Sequence, residues 1–183
     1  MSNYWFISDT HFYHTNVIKF CNRPFKTMEE MNETMIRNWN ERVKPGDLVY
    51  HVGDFALMLR TDEQLDNLVR RLNGQIHLVR GNHDHKRTRK CKKFASVQDY
   101  LEIKIGEQRI VLCHYAFRVW NKSHYSSWNL HGHSHGSLPR NYDQKQLDVG
   151  VDCWDYRPIS FDEVTKEMKK HKSVSVDHHG RDL

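Results

Sequence analysis

The first half of the chain alternates short apolar runs with longer amphipathic segments. Residues 4–7, 47–52 and 76–80 are the apolar runs, and each has the length and composition of a buried strand. Residues 27–43 and 61–73 lie between them and carry apolar side chains at helical spacing. The order strand, helix, strand, helix, strand predicts an α/β fold with a parallel sheet. In such sheets ligands collect at the carboxyl ends of the strands.

Capping signals support the two helices. Thr27 and Glu30 have the spacing of a capping box, Thr61 precedes the second helix, and Gly74 follows it. The first helix carries a stripe of Met and Trp side chains, which predicts core packing rather than a cofactor site.

The second half of the chain predicts further strands. Residues 100–105 and 109–113 alternate on either side of a Gly-containing turn and therefore predict a β-hairpin. Residues 146–151 predict another strand, and a last helix is expected to begin after Ser160.

Length and composition predict one domain, residues 1–183. The chain has 38% hydrophobic and 28% charged residues, and residues 171–183 are polar enough to predict a frayed tail. The longest apolar run, residues 55–59, is too short for a transmembrane helix, and no basic region precedes a long apolar stretch. The four scattered cysteines are typical of reduced thiols, so we expect a cytoplasmic protein without membrane association.

The net charge of +5 is concentrated in one segment. Six Lys or Arg residues lie within residues 85–93, and without them the remaining chain is nearly neutral. The basic pI is therefore weak support for nucleic-acid binding over the whole surface. The segment itself has two open interpretations, a solvated loop or an electrostatic funnel for an anionic substrate.

Side chains suited to metal binding or acid–base chemistry follow the apolar runs. They are Asp9, His11, Asp54, Asn82, His114, His133 and His135. This nitrogen and oxygen set contains no thiolate, and it exceeds what one tetrahedral ion needs but suits two ions that share a carboxylate. Two divalent ions roughly 3.5–4 Å apart suit phosphoester hydrolysis, because they acidify a bridging water to hydroxide and hold the phosphate oxygens.

Residues 81–84, Gly-Asn-His-Asp, add a candidate acid to this set. His83 is not needed as a ligand, and we expect it to protonate the leaving oxygen. Asp84 is expected to hold the His83 imidazole in the required tautomer.

Asp9 and His11 are two residues apart, so in an extended segment both side chains would point the same way.

The complete motif set resembles that of the calcineurin-like metallophosphoesterases. The motifs are Asp9-x-His11, Gly53-Asp54, Gly81-Asn82-His83-Asp84, His114 and Gly132-His133-x-His135. The resemblance covers residues 9 to 135 and implies a four-layer α/β/β/α sandwich with a dinuclear site. The chain is short and looks like the small bacterial or phage-type members.

The same resemblance implies how the ligands divide between the ions. The first ion would take Asp9, His11, Asp54 and His135. The second would take Asp54, Asn82, His114 and His133, with Asp54 bridging. Manganese is the expected metal, with iron, zinc or nickel as alternatives, and His83 matches the catalytic histidine of the family.

Residues 115–128 lie between two of the expected ligands and are rich in aromatic and basic side chains. We expect Arg118 and His124 to contact substrate and Trp128 to close the core. Three further histidines, His14, His51 and His77, are expected in structural or supporting places, because the ligand set is already filled.

The sequence therefore supports a metal-dependent phosphoesterase, either a phosphodiesterase or a phosphatase. Its expected substrate is a small phosphorylated compound, with a nucleotide or cyclic nucleotide as candidates. The alternative is a nucleic-acid-binding protein or nuclease on the same fold that uses the basic run 85–93. Intact ligands argue against a scaffold without turnover, and the short chain offers little surface for gripping a duplex.

Overall fold

Two β-sheets with helices packed around them form the fold. The computed structural model describes residues 3–139, 141–177 and 179. The strands are β1 (Tyr4–Ile7), β2 (Leu48–His51), β3 (Gln75–Val79), β4 (Ser96–Gln98), β5 (Leu101–Ile105), β6 (Gln108–Leu112), β7 (Trp128–His131), β8 (Gln146–Asp148) and β9 (Ile159–Ser160). The α-helices are α1 (Val17–Phe20), α2 (Met28–Arg42), α3 (Asp62–Arg70), α4 (Lys86–Lys90) and α5 (Phe161–Met168), and 3₁₀ turns occupy Ser123–Tyr125 and Val151–Cys153.

The first sheet has the order β4-β3-β2-β1-β9 and the second has the order β5-β6-β7-β8. Strands β1 to β4 are parallel, and β9 pairs antiparallel with β1. In the second sheet β5 and β6 form the predicted antiparallel hairpin, whereas β6, β7 and β8 run parallel. The prediction of an α/β/β/α sandwich is confirmed: two sheets lie together with helices flanking them.

Alternation along the strands divides the apolar side chains between two cores. Trp5 and Ile7 of β1 belong to the core that also holds the buried face of α2, including Met31 and Trp39. Phe6, between them in sequence, points into the second core with residues of the second sheet such as Leu112. Successive strand side chains point to opposite faces, so both faces of the first sheet are buried.

Side-chain caps fix where α2, α3 and α5 begin. The Thr27 hydroxyl accepts the backbone N–H of Glu30, but the Glu30 carboxylate accepts the N–H of Lys26, so the predicted box is only half formed. Reciprocal capping boxes are present at α3, between Thr61 and Gln64, and at α5.

Residues 171–177 differ from the predicted frayed tail, and residues 178 and 180–183 of that prediction lie outside the described residues. His171 is buried and its Nδ1 bonds to the carbonyl oxygen of Gln144. The N–H of Val174 donates to the carbonyl of Asp143, so the tail segment finds backbone partners in the loop before β8. His178 lies outside the described residues. No helix in the described ranges combines the length and apolar character needed to cross a membrane.

Candidate metal centre

The chain turns sharply where the strands deliver the predicted ligands. Asp9, His11, Asp54, His133 and His135 all have φ between 48° and 68°. Left-handed backbone costs a non-glycine residue about 1–3 kcal/mol and tends to cluster at functional sites. The extended segment predicted for Asp9 and His11 is therefore wrong. Their N–H groups instead bond to the carbonyls that follow β2, those of Gly53 and Asp54, at 2.9 and 3.0 Å.

Two glycines let these turns approach one another. A Cβ on Gly81 would collide with the side chain and backbone of Asp54, and a Cβ on Gly132 would collide with Ser8 and the Asp9 carboxylate. Only glycine fits at both positions, because the backbone there passes directly over a predicted ligand.

Asp54 lies between two imidazoles. Its Oδ2 is 3.5 Å from Nε2 of His11 and 3.3 Å from Nε2 of His114, and all three side chains are buried. Donor atoms about 2.1 Å from one ion lie roughly 3 to 3.5 Å from each other. These spacings therefore fit a carboxylate that shares one ion with His11 and another with His114.

The remaining predicted ligands extend this cluster on both sides. Oδ1 of Asn82 is 3.1 Å from Nε2 of His114 and 3.0 Å from Nδ1 of His133. On the other side, Nε2 of His135 is 3.9 Å from Oδ1 of Asp9, and its ring stacks on that of His11. The structure thus brings all the predicted ligands together around Asp54.

Burial makes the cluster electrostatically demanding. Burial raises the pKa of Asp9 to about 7 and lowers the pKa of His11 to about 3. Burial also opposes the charge on His114, but the hydrogen bond and charge of Asp54 outweigh it and raise the His114 pKa to about 9. The same contacts keep the pKa of Asp54 below its usual range. Divalent cations would compensate the charge of the buried carboxylates and displace the proton from the His114 imidazole.

Arg23 and Asp152 support the centre, and neither was predicted from the sequence. Asp152 Oδ2 accepts from Nδ1 of His135 at 2.6 Å, and Arg23 bonds both Asp152 oxygens at 2.8 and 2.9 Å. Arg23 also donates to the carbonyl oxygens of Asp9 and Thr10. The two residues are 129 positions apart, so no spacing pattern could have paired them.

The His83 side chain lies beside the predicted ligands and is half-buried. Its N–H donates to Oδ1 of Asp54 at 2.8 Å, and its ring lies edge-on to that of His11 with centroids 5.4 Å apart. Within the described ranges the His83 ring makes no hydrogen bond. The ring therefore borders the cluster without occupying a ligand position.

Asp84 is placed differently from its predicted role. Its oxygens accept the N–H groups of Gly81, Asp54 and Phe55 at 2.8 to 3.0 Å, and in the described chain it has no hydrogen bond to the His83 ring. Because the carboxylate is turned inward, it ties the loop after β3 to the loop after β2. Asp84 therefore organises the backbone beneath the site instead of orienting His83.

The two predicted substrate contacts have no bond to the centre among the described residues. Arg118 is exposed, and the His124 ring stacks on His179 and lies tilted by 47° against Tyr125. The other histidines differ among themselves. His51 is buried with Nε2 on Thr10, whereas the His14 ring lies 5.3 Å from His11.

Comparison with known proteins agrees with this geometry. The sequence profile of the calcineurin-like phosphoesterase superfamily domain matches residues 3–149. The chain belongs to this superfamily. As a calcineurin-like phosphoesterase it is a member of a hydrolase family, which accords with the predicted fold and motif set.

Relatives of this phosphoesterase occur in an archaeon and a phage. It is 36% identical over 179 residues to uncharacterized protein MJ1445 of Methanocaldococcus jannaschii, covering 95% of this chain and 96% of that one. It is 28% identical over 195 residues to the gene 66 protein of Mycobacterium phage L5, covering 90% and 93%. Among solved structures, the protein of unknown function AQ665 from Aquifex aeolicus matches with a TM-score of 0.74 and 28% identity, covering 91% and 100%.

Proposed function

We propose that this chain hydrolyses phosphoesters with the help of two divalent ions held by the predicted ligands. The observation that carries the proposal is the position of the Asp54 carboxylate between His11 and His114. A buried carboxylate oxygen within 3.3 to 3.5 Å of two imidazole nitrogens has the spacing expected when it shares one cation with each imidazole.

The contacts support the division of ligands implied by the motif set. Asp9, His11, Asp54 and His135 would hold the first ion, and Asp54, Asn82, His114 and His133 would hold the second. A set of imidazole, carboxylate and amide donors without thiolate suits manganese, with iron, zinc or nickel as alternatives. When bound, two such ions supply an acidified water and positive charge for the phosphate oxygens.

The protein side chains would complete the reaction. His83 borders the cluster with its ring nitrogens available, so it is placed to give a proton to the leaving oxygen. Its backbone N–H holds the Asp54 carboxylate in position. The substrate is a small phosphorylated compound, with a nucleotide or cyclic nucleotide as candidates.

The test compares an aryl phosphodiester and an aryl monoester in the presence of Mn²⁺. Wild type should hydrolyse at least one of them, Asp54→Asn should lose activity and bound metal, and His83→Ala should lose activity but keep metal. Asp143→Asn is the matched control, because Asp143 is exposed and its Oδ1 lies 3.6 Å from Lys172 instead of at the centre. Full activity in both site variants would reject the proposal.

A further inference from the structure

A cleft of about 890 Å³ opens directly beside the metal centre. Asn82 and Tyr115 line this cleft, and the Tyr115 ring packs edge-on against the expected ligand His133 with centroids 4.7 Å apart. Lys86, Arg89 and Lys90 of α4 line the cleft as well. The cleft has the volume of a small-molecule site, and it shares Asn82 with the expected metal ligands.

Helix α4 is held so that Lys86, Arg89 and Lys90 face this cleft. Arg87 Nε bonds to the Asp62 carboxylate at 2.6 Å and Nη2 bonds to the carbonyl of Arg60 at 3.1 Å. Thr88 is buried on the same short helix. Because Arg87 and Thr88 anchor the helix to the body, the neighbouring Lys86 and Arg89 have a defined position.

The cationic charge in the cleft is largely uncompensated. Arg80 pairs with Asp99, with its Nε 2.6 Å from Oδ1. Lys86, Arg89 and Lys90 have no ion pair with any residue in the described part of the chain. Three exposed positive charges at the edge of a phosphate site attract an anion that extends beyond the metals.

We propose that this cleft is a second phosphate subsite, so that the substrate is a small molecule with two phosphate groups. The inference rests on the proposed function of the metal centre. One phosphate would lie at the ions, and the other would lie against Lys86 and Arg89. The shared chemistry is a phosphate close to the scissile one, either in a diphosphate chain or as a separate ester on the same sugar.

The binding experiment uses the Mn²⁺-loaded His83→Ala protein, titrated calorimetrically with pyrophosphate and with orthophosphate. Adding Lys86→Ala and Arg89→Ala should weaken pyrophosphate binding at least about tenfold, which is the effect expected when charge-assisted hydrogen bonds are lost. Orthophosphate affinity should change much less. The matched control is Lys92→Ala with Lys93→Ala, since these lysines are exposed in the same basic run but do not line the cleft.

The kinetic experiment uses protein that retains His83, with and without the Lys86→Ala and Arg89→Ala changes. It compares three substrates, a nucleoside 5′-monophosphate, 5′-diphosphate and 3′,5′-bisphosphate. The cleft double variant should raise KM for one of the two doubly phosphorylated substrates, and the more affected one identifies the source of the second phosphate. An equal rise in KM for all three substrates, or the same rise in the control variant, would overturn the subsite. So would a single-stranded oligonucleotide that is cleaved in preference to every small substrate.

Failure of the subsite and failure of the proposed function give different results. If the subsite proposal is wrong, aryl ester hydrolysis continues and pyrophosphate affinity is unchanged when Lys86 and Arg89 are replaced. If the hydrolytic proposal is wrong, no ester is cleaved, while pyrophosphate binding still depends on these two side chains.

Discussion

The carboxylate of Asp152 accepts a hydrogen bond from Nδ1 of His135 at 2.6 Å. This bond leaves Nε2 of His135 facing Asp9, at the predicted first metal position. A carboxylate behind a ligating imidazole fixes its tautomer and ring orientation. Arg23 holds Asp152 in turn, so a buried ion pair sets the direction of the predicted ligand His135.

The Asp152→Asn variant should bind Mn²⁺ about 10 to 100-fold more weakly at the first position, because the imidazole loses its charged partner. Metal titration by calorimetry measures the affinity of each position. The control is Asp155→Asn, whose side chain is 90% exposed, and it should bind metal as wild type does. Unchanged affinity in Asp152→Asn would show that Asp152 does not position His135.

The Asp84→Asn variant should lower the free energy of unfolding by about 1–3 kcal/mol. The Asp84 carboxylate accepts the backbone N–H groups of Gly81, Asp54 and Phe55. An asparagine would direct its own NH₂ group toward one or more of these donors, so hydrogen bonds would be lost. Denaturant titration measures this loss. If Asp84 instead oriented His83, stability would be retained and the pH–rate profile would shift.

The Gly132→Ala variant should destabilise the fold by about 1–3 kcal/mol and weaken metal binding, because the added Cβ collides with Ser8 and the Asp9 carboxylate. Thermal unfolding and metal titration check both effects. Gly46→Ala is a matched control, since a Cβ at Gly46 has no atom within 4 Å. A Gly132→Ala protein with wild-type metal affinity would contradict the close approach.

Acid should weaken the contribution of Glu163 to stability. Burial disfavours its charge, but hydrogen bonds from Ser160 and Arg157 and the charge of Arg42 outweigh burial and lower its pKa to about 2. Because the pKa is lower in the folded state, the charged carboxylate stabilises the fold at pH values above the ordinary pKa of 4.5. This contribution to stability is lost as pH falls from there toward about 2.

The variant Glu163→Gln keeps the shape of the capping box and removes the charge. We expect it to lose about 1 kcal/mol at neutral pH, allowing for solvent screening of a partly exposed group. The difference from wild type should shrink as pH falls through that window. A difference that stays constant with pH would assign the effect to packing.

Much of the site could be predicted because its parts are local. Asp54, Asn82 and His114 each follow an apolar run, and parallel strands carry such residues to one edge of a sheet. Helices α2 and α3 were predicted for similar reasons, since Thr27 and Thr61 cap them. The short helix α4 within the basic run was not predicted. The short strands β4 and β9 were not predicted, because two or three residues contain too little periodicity.

The sequence by itself determined the alternation of strands and helices, the chemistry of the ligand set and the concentration of positive charge in one segment. Only the tertiary structure decided that Arg23 meets Asp152, that Asp84 turns inward to three backbone amides, and that Lys86 and Arg89 face a cleft beside Asn82. The reason is physical. Periodicity and capping act over a few residues, whereas these contacts depend on loop turns and on packing between segments far apart in the chain.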